Sequence, residues 1–465
     1  MRKTVHITLL IIVLIAGLLL PGCNSRQNND KESTIKSVQE SGVSLNGRTI
    51  TIFYPGTASL SAFNFAFNES TLKNFAEKMD DKYGCQIKIE SNSEYQISQI
   101  ISDIKAGNFK YDIVSIYGYI FNLANEDIII PLDEYIDFRS TPFNSPFQEE
   151  AQWKGQHYGI YVPITDRLPV DWAANNFITY NKILLSENSI PDIYELQKEG
   201  LWTWDKLLEI TQKVTQDTDG DGTIDIWGIS SYQAANLFER LVYSNGSGFI
   251  QDRGNFNLVP NYKSSAVIRA VDFLRKIAIE NNVVLFGNDV AGILQNNNSS
   301  AVQKELRAMV NDNKIAISLD DYVGTNNLSN FGYAFFPKGP DTDNYNFFAI
   351  RSKYYAIPST AKNPKDVALI LKELYQFAVD EREKFMASED DTRLAATAKN
   401  KNQIRLLDES SCNINYLYTD YSGFTDNDVY DLLISNEGEY EEKLDLYEAR
   451  AQEYLDKLLS NISNN

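Results

Sequence analysis

T-I-T-I-F-Y, spanning Thr49 to Tyr54, opens the pattern that decides the fold. Its isoleucines alternate with threonines, the period-2 signature of a strand with one buried face. A helix is predicted next: Ser70 stands as its N-cap, Leu72, Phe75, Ala76 and Met79 recur on one face, and Gly84 stops it. Cys85, Ile87 and Ile89 alternate again, Ile97 to Ile104 reads as a capped amphipathic segment, and D-I-V-S-I at Asp112 to Ile116 is a third strand. Strand and helix follow one another, so the expected class is α/β, with a mostly parallel sheet covered by helices on both faces.

The same pattern returns after about Trp172, with helices expected near Asp205 to Val214 and Ser265 to Ile279 and a strand at Lys314 to Leu319. Asn363-Pro364 pairs an N-cap residue with proline at the first helical position, ahead of a core face of Val367, Ile370, Leu371 and Leu374. In the last helix Tyr440, Leu444, Tyr447, Ala451, Leu455 and Leu458 step by three or four, with charged residues opposite. That face is expected to pack on its own domain rather than on a partner helix.

Upstream of the first strand the chain reads as an export signal. Arg2-Lys3 precede an apolar run from Ile7 to Leu20, broken by Thr8 and Gly17, and then Leu20-Pro21-Gly22-Cys23. The run is shorter than the roughly 20 apolar residues of a membrane span and ends in a small residue and a cysteine, the arrangement of a lipoprotein signal. Residues 1–22 are therefore expected to be removed, with Cys23 lipidated and holding the chain to the outer face of a bacterial membrane. Residues 23–44, rich in Asn, Gln, Lys, Glu and Ser, have little to bury and read as a tether reaching roughly 25 Å.

Composition narrows the partners. The net charge of -20 repels phosphate backbones, so no nucleic acid is expected, and acidity also keeps an exported protein soluble. Cys85 and Cys412 are the only cysteines besides Cys23, too few for a disulfide scaffold; a single bridge and two buried thiols both stand. His157 is the one histidine after the signal, which argues against histidine-rich zinc sites, and no G-x-S-x-G elbow accompanies it.

The most specific local signal is D-T-D-G-D-G-T-I-D-I-W-G, Asp217 to Gly228. Asp217, Asp219 and Asp221 hold positions 1, 3 and 5 of a calcium-type loop, with Gly222 at 6, the Thr223 carbonyl at 7 and Asp225 at 9. Position 12, where a bidentate Glu is usual, is Gly228. Two readings stand: a Ca2+ site completed by a remote carboxylate, or an Asx-rich turn whose carboxylates cap backbone amides while Gly220 and Gly222 take positive φ. No other cofactor is expected.

Several short strings, in order, resemble the extracellular solute-binding proteins of bacterial ABC importers, particularly the large family (family 1) that includes carbohydrate binders. Gly155-Gln156-His157-Tyr158-Gly159-Ile160 with Pro163 looks like that family's crossing from first lobe to second, and Tyr180-Asn181-Lys182 resembles its Y-N-K element. Trp202-Thr203-Trp204-Asp205, the acidic loop, Phe336-Pro337-Lys338-Gly339-Pro340 as the return crossing, and Ile357-Pro358 with Lys362-Asn363-Pro364 follow in order. One departure is Asn313 to Ile317, N-K-I-A-I, where the family often has Gly-x-x-Ala-Met; Asn tolerates left-handed backbone, so the turn is expected to survive.

The resemblance, which spans about Arg48 to Leu459, implies a two-lobe periplasmic-binding-protein-like fold of type II with a ligand cleft at the hinge. It divides the chain into 45–162 plus 335–380 as the N-terminal lobe and 163–334 plus 381–465 as the C-terminal lobe. It further implies a receptor that captures a small solute, most readily a mono- or oligosaccharide, closes over it, and delivers it to an ABC permease. Sugar rings stack on aromatic faces while their hydroxyls need hydrogen-bond partners, and the chain holds 27 Tyr, 24 Phe and 5 Trp. The candidates at expected strand ends are Tyr54, Tyr117, Tyr119, Trp172, Tyr232, Asp320, Asp321 and Tyr322, in regions from which the family draws ligand contacts. Trp204 and Trp227 are assigned to packing. Docking on a sensor kinase or chemoreceptor fits the same sequence. A glycosidase requires two carboxylates at a set separation, which the adjacent pairs Asp320-Asp321 and Glu441-Glu442 do not establish.

Overall fold

Each strand of the first sheet is built from the alternation read in the sequence. In the computed structural model of this protein, the residues described are 43–55, 69–92, 94–117, 120–140, 143, 148, 151–162, 177–253, 257–320, 330–348, 353–387, 415–417 and 424–460. The export signal, Cys23, nearly all of the tether and Cys412 lie outside them. Strand β1 (Thr49–Pro55) is followed by helix α1 (Glu69–Tyr83), β2 (Gln86–Asn92), α2 (Ile97–Lys105), β3 (Ile113–Tyr117) and the two-residue β4 (Ile160–Tyr161). Ile50, Ile52 and Tyr54 of β1 join one apolar cluster and Phe53 another, so this sheet has a core on each face. Gly84 takes φ +61 after α1, as a helix stop requires. Ser70, expected as N-cap, is instead the second residue of α1, because the helix begins at Glu69.

The second sheet repeats the scheme with β5 (Phe177–Asn181), α3 (Trp204–Val214), β6 (Trp227–Ser231), α4 (Ala234–Ser244), α5 (Ser265–Arg275), β7 (Val284–Phe286), α6 (Gly287–Leu294), α7 (Ser299–Asn311), β8 (Ile315–Ser318) and β9 (Phe331–Phe335). α5 continues into a π-helical turn over Lys276–Glu280. Asn313 stands at φ +57 ahead of β8, so the left-handed turn expected there is present, and its side-chain oxygen accepts from Asn181 Nδ2 at 2.7 Å. The chain then supplies β10 (Lys353–Ala356) and α8 (Pro364–Ala387) to the first sheet and ends in α9 (Glu437–Ser460). The predicted core face of α8 packs on the first sheet, and Tyr440, Leu444, Tyr447, Ala451 and Leu455 of α9 pack on the second.

The strand orders are β2-β1-β3-β10-β4 and β7-β6-β8-β5-β9. Four strands in each sheet run in one direction, and a single strand, β10 in the first and β5 in the second, runs against them. Each sheet is therefore mostly parallel, as the strand–helix alternation suggested. Each reversed strand is the one by which the chain enters a sheet from the other: β4 leaves the first and β5 opens the second, then β9 leaves it and β10 rejoins the first. No ladder joins the two sheets among the described residues. The passage back lies beyond Phe335: Phe336 and Tyr345 are buried in the second core, and Trp202 Nε1 donates to the Phe335 carbonyl at 2.8 Å.

Candidate functional site

Parallel strands place their C-terminal ends on one edge, where an open α/β sheet binds ligands. In the first sheet that edge carries Pro55, Asn92 and Tyr117, the last residues of β1, β2 and β3. In the second it carries Ser231, Phe286 and Ser318 at the ends of β6, β7 and β8, with Phe177 at the start of the oppositely running β5.

Of the sequence candidates, Tyr232 and Asp320 come together on the second edge. The backbone N–H of Tyr232 donates to Asp320 Oδ2 at 2.7 Å, and the Tyr232 ring is half-buried. The Ser318 hydroxyl donates to the Asp320 carbonyl at 2.9 Å, holding the turn that presents the carboxylate. Gly287 closes on the same point: its N–H donates to the Tyr232 carbonyl, and a Cβ there would stand 2.4 Å from that oxygen. Only glycine fits between α6 and the β6 exit.

Tyr54 is placed differently. It is buried against Tyr355, ring edge to ring face, with their hydroxyls 2.8 Å apart. Burial first, and the Tyr355 partner second, push its pKa well above the usual tyrosine value. Tyr117 ends β3 opposite Lys353. Tyr119, Trp172, Asp321 and Tyr322 lie outside the described residues. Trp204 and Trp227 pack as expected: Trp204 stacks on Phe273 at 4.8 Å and donates to Ser244 Oγ, and Trp227 lies against a smaller core of the second sheet. Glu441 and Glu442 are exposed on α9, remote in sequence from either edge.

Sequence reasoning missed Arg240. It sits in α4, buried, donating through Nη1 to the Phe177 carbonyl at 3.2 Å and through Nη2 to the Leu319 carbonyl at 3.1 Å. The signal was present as a charged pair, Glu239-Arg240, inside an otherwise apolar helix.

The acidic loop has both features its sequence allowed. Carboxylate oxygens of Asp217, Asp219 and Asp225 lie within 4.8 Å of one another. Asp217 also accepts the N–H groups of Gly220 and Gly222, Asp221 that of Thr223, and Asp225 both the N–H and the hydroxyl of Thr218. Gly220 and Gly222 stand at φ +78 and +90. Asp221 is not among the converging three, and position 12 has no room for a side chain, since a Cβ on Gly228 would meet Thr211 at 2.5 Å. The residues fit a cation only in part: three carboxylates converge, and a cation there would need further ligands.

Elsewhere in the second half a cavity of about 350 Å³ opens between the start of α3, α5 and Lys338–Pro340, its wall including the Trp204–Phe273 stack. None of the ligand candidates lines it.

The family model of the bacterial extracellular solute-binding proteins matches residues 66–389, well over half of the chain. This chain belongs to that family. The solute-binding protein has no match among curated proteins, but solved structures share its two-lobe fold. The galacto-N-biose/lacto-N-biose I-binding protein of an ABC transporter from Bifidobacterium longum, in complex with lacto-N-biose, superposes with a TM-score of 0.60 at 13% identity, covering 91% of this chain and 99% of its own. An ABC substrate-binding protein from Listeria monocytogenes, in complex with cycloalternan, gives 0.55 at 14% identity over 90% and 100%. The GacH receptor of Streptomyces glaucescens, studied with acarbose, gives 0.54 at 12% identity over 89% and 99%. No helix among the described residues is long and apolar enough to cross a membrane.

Proposed function

We propose that this solute-binding protein is anchored by lipid on Cys23 and captures a mono- or oligosaccharide between its lobes, handing it unchanged to an ABC permease. The observation that carries the carbohydrate reading is the second-sheet edge, where the carboxylate of Asp320 is held by the backbone N–H of an aromatic residue, Tyr232. Stacking on the first and hydroxyl recognition by the second is the chemistry a sugar needs. The sugar complexes of the structural relatives support the same class. Closure of two lobes over the ligand supplies the burial; a micromolar dissociation constant corresponds to about -8 kcal/mol, within reach of a few stacked rings and paired hydroxyls.

The test is a panel of lacto-N-biose, maltotriose, mannotriose and their monosaccharides, followed by thermal melting and small-angle scattering. A binder should raise the melting temperature and shrink the radius of gyration. A panel that changes neither ends the carbohydrate reading. Metabolic labelling with a fatty-acid analogue, lost in Cys23→Ala, tests the anchor.

For the acidic loop we propose Ca2+ held by Asp217, Asp219 and Asp225, in a structural role away from the ligand edge. Calorimetric titration of calcium into chelator-treated protein decides it. No heat and no shift in melting temperature would leave the loop as an amide-capping turn.

A further inference from the structure

Helix α4 is buried along its whole length, yet it carries a guanidinium at its centre. Arg240 is 3% exposed. Taking a guanidinium out of water costs several kcal/mol unless it is well paired, and an aliphatic side chain of similar length would fill the space without that cost. Packing of α4 therefore does not account for the residue.

Its bonds do. Nη1 reaches the carbonyl of Phe177, which opens β5, and Nη2 reaches the carbonyl of Leu319, which follows β8. Burial lowers its pKa to about 10, with the neighbouring Asp320 acting in the opposite sense. It stays charged at neutral pH. Asp320 in turn accepts the Tyr232 N–H at the end of β6. One cation thus ties together the start of β5, the end of β8 and the end of β6, all on the edge that presents Tyr232 and Asp320. A guanidinium suits this because its planar fork reaches two carbonyls in a fixed geometry, which an ammonium does not match.

We infer that Arg240 is the positioning residue of the ligand site: it sets the placement of Asp320 and, through it, of Tyr232, and so governs ligand affinity more than folding. The inference rests on the solute-binding reading of this edge.

The experiment compares wild type, Arg240→Met, Arg240→Lys and a control, Val310→Ala, in the mature protein. Val310 is buried near the end of α7, at the opposite end of β8 from Ser318. Two readouts are taken at 25 °C: the dissociation constant for the best sugar of the panel, and hydrogen exchange of the Tyr232 and Asp320 amides without ligand. Arg240→Met should weaken binding about tenfold or more and speed exchange at both amides. Arg240→Lys should fall between it and wild type, and Val310→Ala should lose melting temperature without either change. An unchanged dissociation constant in Arg240→Met overturns the inference; if that variant does not fold, an unchanged constant in Arg240→Lys does so. Should wild type bind no sugar, the carbohydrate reading fails by itself, and the exchange readout still decides Arg240: amides that exchange as in wild type overturn its positioning role.

Discussion

Gly228 and Thr211 meet so closely that a Cβ built on the glycine would stand 2.5 Å from the threonine Cβ and 2.7 Å from its carbonyl oxygen. The Gly228 N–H donates to Thr215 Oγ1 at 3.0 Å, one turn further along. Strand β6 and helix α3 therefore pack at a distance that only glycine permits. Gly228→Ala is expected to cost about 1–3 kcal/mol by overpacking, seen as a lower urea midpoint with an unchanged slope. Gly228→Glu, which would complete a calcium loop on paper, should destabilise at least as much and add no calcium affinity. An alanine variant as stable as wild type would show that α3 can move away.

The acidic loop should respond to acid in a definite direction. Hydrogen bonds from the Gly222 and then the Gly220 amide hold the Asp217 carboxyl below its usual range, and Thr218 does the same for Asp225. A carboxyl whose folded pKa lies below its unfolded value adds stability above the ordinary carboxylate pKa of about 3.9, and that contribution is lost as pH falls through the depressed folded value. Asp217 is exposed and Asp225 half-buried at the surface, so the effect is local. The amide resonances of Gly220 and Gly222 should move together below about pH 4 and should not in Asp217→Asn. Resonances that titrate in the ordinary carboxylate range would contradict the bonding described.

How much of this was legible in the sequence depends on whether a residue's role is set by its neighbours in the chain. The parallel strands and their helices announced themselves because Ile50, Ile52, Leu371 or Leu444 repeat at the period of the element that buries them. The pairing across the reversed strands was not legible, since β4 has two residues and finds its partner β10 nearly two hundred positions away. Gly155 to Ile160 was recognisable as a unit, and its residues serve structure: Lys154 and Gly155 take φ +50 and +77 in a hairpin turn, and a Cβ on Gly159 would meet Ile120 and Tyr354 at 2.9 and 3.0 Å. His157 stacks on Phe138 and holds Asp133. Among the aromatic candidates, position at a strand end did not separate Tyr54, taken up by the core, from Tyr232, at the edge. The face a strand residue points to is fixed by the sheet's register and by what covers it, and neither is local.

Cys85 should be inert in the folded protein. It is buried, its thiol donates to the Met79 carbonyl at 3.6 Å, and burial, with Asp80 adding to it, pushes its pKa up to about 11. Alkylation at pH 8 followed by peptide mass spectrometry should leave Cys85 unmodified until urea unfolds the chain. Because the folded pKa is the higher one, the thiol's contribution to stability is complete below about pH 8.5 and declines as pH rises towards 11. Labelling of native protein as fast as that of unfolded protein would mean the first core opens readily.

Arg48 is the counterpart of Arg240 on the first sheet, at the opposite kind of edge. Its Nη1 pairs with Asp366 at 2.9 Å and its Nη2 with Asp112 at 3.0 Å, and it also donates to the carbonyls of Lys362 and Asn363. Asp112 uses its other oxygen to accept the Thr51 N–H at 2.9 Å. The cluster gathers the start of β1, the start of β3 and, from more than three hundred positions beyond Arg48, the start of α8, on the side of the sheet away from the strand ends that would meet a ligand. Its side chains are largely shielded, so the pairs are worth more than the fraction of a kcal/mol usual for surface ion pairs. Arg48→Met is expected to cost about 2–3 kcal/mol, because it leaves two carboxylates half-buried without their cation. A double-mutant cycle with Asp112→Ala should return a coupling of about 1 kcal/mol or more. Sugar affinity in the surviving folded protein should not change, the reverse of what Arg240→Met should do. The two arginines thus separate stability from affinity, and a loss of binding in Arg48→Met equal to that in Arg240→Met would show that the two edges of the fold are not independent.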